Sequence, residues 1–279
     1  MSPSLPRYIA RRLLQSIPLI LGILIFSFVL IQLAPGDPIM LLAGEGGDAD
    51  YYATMRAYYG LDRPLPEQLL RYVGAILRGD FGYSFNYRQP VFDVILGRLP
   101  ATLLLMGSAL IFALTVGVGL GIISALRPRS LLDRSISVMT LTFTALPVFW
   151  LGQLLLMLFA ARLRLFPVHG MVSVRADYTG LRHLLDLLHH LVLPTIALGL
   201  LQLALLTRLT RTSLREQLAE DYVRSARAKG LQERIVVLRH AMRNAMLPVI
   251  TIIGSHVGTL ITGAGERPGV RAIRGNPRV

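Results

Sequence analysis

Only a few side chains in this sequence have types and spacings that could do chemistry. In the segment HLLDLLHH, His183, Asp186 and His190 stand at i, i+3 and i+7, one helical face on which two imidazoles and a carboxylate could hold zinc or nickel. Gly117, Gly119 and Gly121 could form a glycine-rich nucleotide loop, Lys229 is the single lysine, and His256 is the only titratable side chain inside a long apolar run. Each meets a competing reading in the element that must position it. The histidine face equally suits an interfacial helix at the headgroup level, which is the favoured reading. The glycines lie in an uncharged run with no strand ahead of them, where Gly117 and Gly121, four apart, let a neighbouring backbone approach. A phosphate-binding loop needs Ser or Thr after its lysine, and Gly230 follows Lys229. The chain has no cysteine, which removes disulfides, thiolate metal sites, iron–sulfur clusters and a cysteine nucleophile. The apolar runs hold neither an HExxH motif nor an aspartate pair, so intramembrane catalysis has no evident machinery.

The elements themselves are membrane helices. Hydrophobic residues make up 53% of the chain, charged residues 16%, and the mean hydropathy is +0.55, a balance too apolar for a water-soluble domain. Crossing roughly 30 Å of hydrocarbon takes about 20 apolar residues, because a helix alone satisfies its own backbone there. Five uncharged runs meet that length: 13–34, 101–126, 135–161, 191–207 and 244–265. The fourth is short and borrows flanking residues. The first follows Arg7, Arg11 and Arg12 but is long and lacks a small-residue cleavage site, so it reads as a retained helix. Pro18, Pro147 and Pro194 fall inside runs, where each removes a backbone donor and can kink its helix.

Orientation follows from where the basic residues lie. The N-terminus (1–12), the short loop 127–134 with Arg127, Arg129 and Arg134, and the segment 208–243 are the basic connections, which places them in the cytoplasm. Loops 35–100 and 162–190 then lie outside. The formal charge of +13 is thereby explained by topology, and nucleic acid is not an expected partner.

The stretch 208–243 is too polar to insert and too regular for a linker. One helix is expected over about 214–229, closed by Gly230 in the left-handed conformation. A second begins near Gln232, with Leu231, Ile235, Leu238, Met242 and Met246 as an apolar stripe facing the bundle and Arg234, Arg239, His240 and Arg243 on the other side. Tyr222 and Ala226, just before the glycine, could form a compact knob for a cleft on a soluble partner. Pattern alone does not choose between a lipid headgroup and such a partner.

The residues 221–250, DYVRSARAKGLQERIVVLRHAMRNAMLPVI, closely resemble the coupling-loop signature of dipeptide/oligopeptide/nickel-type ABC transporter permeases. LPRYIARRLLQSIPLILG at the start, LAPGDP at 33–38, GDFGYSF at 79–85, RLPATLLL at 98–105, LPVFWLG at 146–152 and FPVHG at 166–170 extend the resemblance, which resembles the first of two permease subunits. It implies an all-α polytopic helix bundle whose permease domain covers about 95–265, with an external domain after the first span. It implies that Asp221, Tyr222, Arg224, Ser225, Ala226, Arg227, Ala228, Lys229 and Gly230 dock into the ATP-hydrolysing subunit, with Arg239, His240, Arg243, Asn244 and Pro248 supporting them. Arg224, Ser225 and Ala226 stand where the wider permease motif often has Glu-Ala-Ala, a variation shared by the peptide-type subfamily. The implied partners are a second permease subunit, one or two ABC ATPase subunits and an extracytoplasmic substrate-binding protein in the inner membrane of a prokaryote. ATP and magnesium belong to the ATPases and no cofactor to this chain. The cargo is expected to be peptides, although the family also carries nickel, glutathione and sugars. Gly36, Asp37 and Pro38 also make a good turn by themselves.

The resemblance stops at about Ala264, before a sixth span. The tail 266–279 carries Arg267, Arg271, Arg274 and Arg278, which five spans from a cytoplasmic start would place outside, against the charge rule. Truncation or a frameshift is the expected cause. A non-transporting subunit that only binds partners is therefore the main rival reading, and a membrane enzyme the third.

Overall fold

The computed structural model describes residues 5–33, 48–84, 87–173 and 178–263. The turn at Gly36, Asp37 and Pro38 and the tail 266–279 lie outside them. The chain divides into two compact units, Met1–Arg98 and Leu99–Val279.

In the first unit, α1 (Leu5–Leu33) is an uninterrupted apolar helix with Pro18 inside it, and none of its described side chains is buried. A helix so apolar and so uncovered needs lipid around it. It meets α3 (Leu65–Leu77) through a Gln32 Nε2 to Gln68 Oε1 hydrogen bond of 2.9 Å and a ring contact between Phe28 and Tyr72. Between them α2 (Ala49–Tyr59) begins at Asp48, whose carboxylate accepts from the Tyr51 N–H, and ends at Gly60 in the left-handed region. A two-stranded antiparallel ribbon, β1 (Tyr83–Ser84) with β2 (Gln89–Pro90), pairs Tyr83 with Pro90 and leads into α4 (Val91–Phe112).

The second unit is a helix bundle built around one helix. After α4 come a π-helical turn (Ala113–Gly117), α5 (Val118–Leu126), α6 (Leu131–Ala145), α7 (Val148–Leu155) and a second π-helical turn (Leu156–Arg162). Then α8 runs unbroken over Leu181–Ala219, past Pro194, and packs against α5, α6 and α7. The helix that contains the run 191–207 extends ten residues before it and twelve after. Among the described residues, four helices are long and apolar enough to cross a membrane, and five spans result if α6 and α7 count as one. The run 135–161 is not straight: α6 and α7 meet at 107° across Leu146 and Pro147, because proline cannot extend α6 and holds its predecessor extended.

Close packing on α8 of α5 and the π-helical turn before it is decided by two glycines. A Cβ on Gly117 would lie 3.0 Å from the Leu203 carbonyl oxygen, and one on Gly121 would lie 2.7 Å from Thr210 Cβ; one on Gly119 would meet nothing within 4 Å. Thr207 Oγ1 donates across this seam to the Gly117 carbonyl at 3.0 Å. The glycine pair thus serves helix packing.

At the C-terminal end of the same seam sits a buried charge. Ser130 caps α6 by accepting from the Asp133 N–H, and the Asp133 carboxylate, 4% exposed as a residue, faces inward. It accepts from Ser124 Oγ on α5, from the Arg129 N–H in the turn at 3.0 Å, and from Arg211 Nε and Nη2 on α8 at 2.6 and 2.9 Å. Arg129 itself takes a positive φ of 62° to present that N–H.

Candidate functional site

The segment between α8 and the last helix is a folded corner. Glu220 adopts an extended backbone (φ −69°, ψ 150°) and breaks the helix there, so the single helix expected over 214–229 is two. The first part is the end of α8; the second is α9, Asp221–Ala228. Lys229 caps α9, with its N–H to the Ser225 carbonyl at 3.2 Å, and Gly230 turns the chain at φ +75°. A Cβ at Gly230 would meet nothing within 4 Å, so backbone conformation rather than space calls for glycine here. The chain continues through α10 (Glu233–Ile235), a third π-helical turn (Val236–Ala241) and α11 (Met242–Gly263), one continuous run into the last apolar segment.

Two side chains of α9 hold it to the bundle. Val223 and Ala226, three apart, are buried with Ala125 of α5, Leu214 of α8, and Val236, Ala241 and Ala245. Ala226 is therefore an anchor of the knob rather than its outer surface. Outward stand Asp221, Tyr222, Arg224, Ser225, Arg227, Ala228, Lys229 and Gly230. Tyr222 remains 37% exposed while its hydroxyl donates to Gln217 Oε1 at 2.8 Å and accepts from Asn244 Nδ2 at 3.3 Å. Arg227 forms a bidentate pair with Glu233 at 3.0 and 2.7 Å, bridging the turn at Gly230, and the carboxylate raises its pKa above the ordinary arginine value. Arg224 reaches Asp221 at 3.3 Å. The helix is thus braced on both flanks and bare along its outer face.

The supporting helix presents a different face from the one its sequence suggests. Leu231, Ile235 and Leu238 are 39%, 40% and 54% exposed, whereas Val236, Val237, Ala241, Ala245 and Val249 are buried; Met242 and Met246 are partly covered. The π-helical turn carries an extra residue and shifts the phase of every side chain across it, and small residues then face the bundle where backbones come close. Of the supporting positions, Asn244 touches Tyr222, His240 is half-buried, Arg239, Arg243 and Pro248 are exposed. The backbone of His256 is in α11, and its side chain lies outside the described residues.

On the histidine face of α8, the polar side chains bond to nearby backbone and to Ser173. Asp186 accepts from the Ser173 N–H at 2.6 Å and from Ser173 Oγ at 2.8 Å, and His190 Nδ1 pairs with the Asp186 carbonyl oxygen at 2.8 Å. Among the described residues no group of three His, Cys, Asp or Glu side chains is placed to hold a metal ion. Asp133 and Arg211 are the residues that sequence reasoning passed over. Their signal was present in part: Asp133 is the only acid in the basic loop, three residues after the capping Ser130.

Residues 117–265 match the family described as binding-protein-dependent transport system inner membrane component, and residues 5–106 match the corresponding N-terminal membrane component. The chain is 41% identical over 276 residues to the dipeptide transport system permease protein DppB of Escherichia coli (strain K12), covering 92% of this chain and 81% of that protein. It is 42% identical over 272 residues to the di/tripeptide transport system permease protein DppB of Pseudomonas aeruginosa (strain UCBPP-PA14), with the same coverage. It is 40% identical over 258 residues to the oligopeptide transport system permease protein AppB of Bacillus subtilis (strain 168), covering 92% and 80%. With α9 and its glycine turn standing where the permease signature was read, the chain belongs to the binding-protein-dependent transport system inner membrane components, a family of transport permeases and not of enzymes.

Proposed function

We propose that this permease subunit helps form the path by which an ABC importer carries peptides across the cytoplasmic membrane, and that α9 is its docking helix for an ATPase. The observation that carries the reading is the bare outer face of α9, anchored inward by Val223 and Ala226 and braced by Tyr222, Asn244 and the Arg227–Glu233 pair. A short helix so held transmits force to α5, α8 and α11 instead of bending against them. The other chains of the importer would be a second permease, one or two ATPases holding ATP and magnesium, and an extracytoplasmic binding protein that delivers the cargo. The N-terminus would lie in the cytoplasm, because the loop 127–134 and the segment 208–243 concentrate arginine on that side. Peptides are favoured as cargo because the three relatives are named as dipeptide, di/tripeptide and oligopeptide permeases.

The test is uptake of labelled di- and tripeptides by a permease-deficient strain expressing the complete importer, together with affinity copurification of the ATPases. Wild-type chain should restore uptake and recover the ATPases. Gly230→Trp forces a bulky residue into a left-handed backbone, at about 1–2 kcal/mol, and places an indole on the outer face. It should lose both. Well-expressed wild-type chain that recovers no ATPase would refute the docking role, and recovery of ATPase with no peptide uptake would refute the cargo.

A further inference from the structure

We infer that the Asp133–Arg211 ion pair is a positioning latch that makes the C-terminal end of α8 and the α5–α6 turn move as one piece, so that displacement at α9 reaches the apolar helices. This rests on the reading of α9 as the ATPase-docking helix.

Two ties hold the corner where α8 passes into α9, one reaching α9 itself and the other fixing the end of α8 just before it, and they differ in kind. The apolar cluster of Ala125, Leu214, Val223 and Val236 holds by burial, which is non-directional and lets surfaces slide. The carboxylate of Asp133 holds by four hydrogen bonds from three separate places: the end of α5, the turn before α6, and α8. An ionised carboxylate has about four acceptor positions, so this one is saturated and has no capacity left for cargo or a cation. The pair with Arg211 is bidentate, which fixes direction as well as distance. A buried ion pair adds little net stability over apolar packing, because desolvation offsets the attraction. Its distinct physical contribution is geometry. That geometry sits about two and a half turns of α8 before Glu220, between the docking helix and the seam of Gly117 and Gly121. Without the latch, a pull on α9 would draw α8 past α5 and α6 and leave the α6–α7 bend where it was.

The reading is tested in the complete importer reconstituted into liposomes, by measuring peptide transported per ATP hydrolysed. Asp133→Asn keeps the shape but removes the charge that holds Arg211. Expected are retained ATPase, by copurification and hydrolysis, and a transport-to-hydrolysis ratio lower by roughly tenfold or more, the size of an ordinary coupling free energy. Since the chain has no cysteine, a second variant carries Asp133→Cys with Arg211→Cys. Bridging the two thiols with a short bis-methanethiosulfonate, in which each thiolate displaces one methanesulfinate to form a disulfide, should restore the ratio, and cleavage of both disulfides by dithiothreitol should abolish it again. An unchanged ratio in Asp133→Asn with ATPase bound overturns the latch alone. Transport and hydrolysis falling in proportion, with the bridge restoring neither, makes the pair merely structural and overturns it too. A wild-type complex that holds no ATPase overturns both the latch and the docking reading.

Discussion

Helix α8 carries a well-satisfied aspartate contact near each end, and the two ends are built differently. Near its start, Asp186 belongs to the helix and receives a loop: the N–H and hydroxyl of Ser173, thirteen residues away, bond to its carboxylate. Near its finish, the helix supplies the cation instead, and Arg211 reaches an aspartate seventy-eight residues away whose other partners come from α5 and the α5–α6 turn. The first arrangement pins a short connection to its own helix. The second ties helix to helix. One end can therefore rearrange its loop at little cost to the bundle, whereas the other cannot change without moving three elements together, and it is this second end that leads into α9.

That contrast can be broken or sharpened by substitution. The largest effect is expected from Arg211→Leu, which strands the buried Asp133 charge without its counter-ion; thermal unfolding in detergent should show a loss of about 3–5 kcal/mol. Gly121→Ala comes next, because the new Cβ would lie 2.7 Å from Thr210 Cβ and 2.8 Å from the Thr207 carbonyl oxygen. Overpacking of that order costs about 1–3 kcal/mol, and Gly119→Ala, with open space around it, is the control that should unfold like the wild type. The smallest effect belongs to the other end. Asp186→Ala should release Ser173, seen as faster amide hydrogen exchange at that residue, with a stability change of about 1 kcal/mol and peptide uptake retained. Equal destabilisation by Arg211→Leu and Asp186→Ala would erase the distinction between the two ends.

Local features of this molecule were legible in its residues. Gly230 after a helical pattern, the Gly117 and Gly121 pair, and the proline at Pro147 each act through backbone conformation or the absence of a side chain, which depend on neighbours in sequence. The apolar runs were readable for the same reason: their length answers to the bilayer. Three features were not. The break at Glu220 falls in a stretch with no glycine or proline to mark it. The buried face of the last helix depends on the π-helical turn at Val236–Ala241, which no 3.6-residue period anticipates. The Arg211–Asp133 pair joins distant parts of the chain, and a single sequence shows both residues only as charges among many. Ala226 illustrates the boundary between the two cases, since its place in a helix closed by Gly230 was readable and its inward orientation was not.

The unbroken course of α8 has a mechanical consequence. At 39 residues and 1.5 Å per residue it is about 58 Å long, nearly twice the roughly 30 Å of hydrocarbon it would cross. A rod that overhangs its support on both sides is a seesaw: tilting it by about 5° around its middle swings each end by about 2.5 Å in opposite directions. A push delivered at Ala219 would thus arrive, with its sign reversed, at His183 and Asp186, on the far side of the membrane from where it was applied.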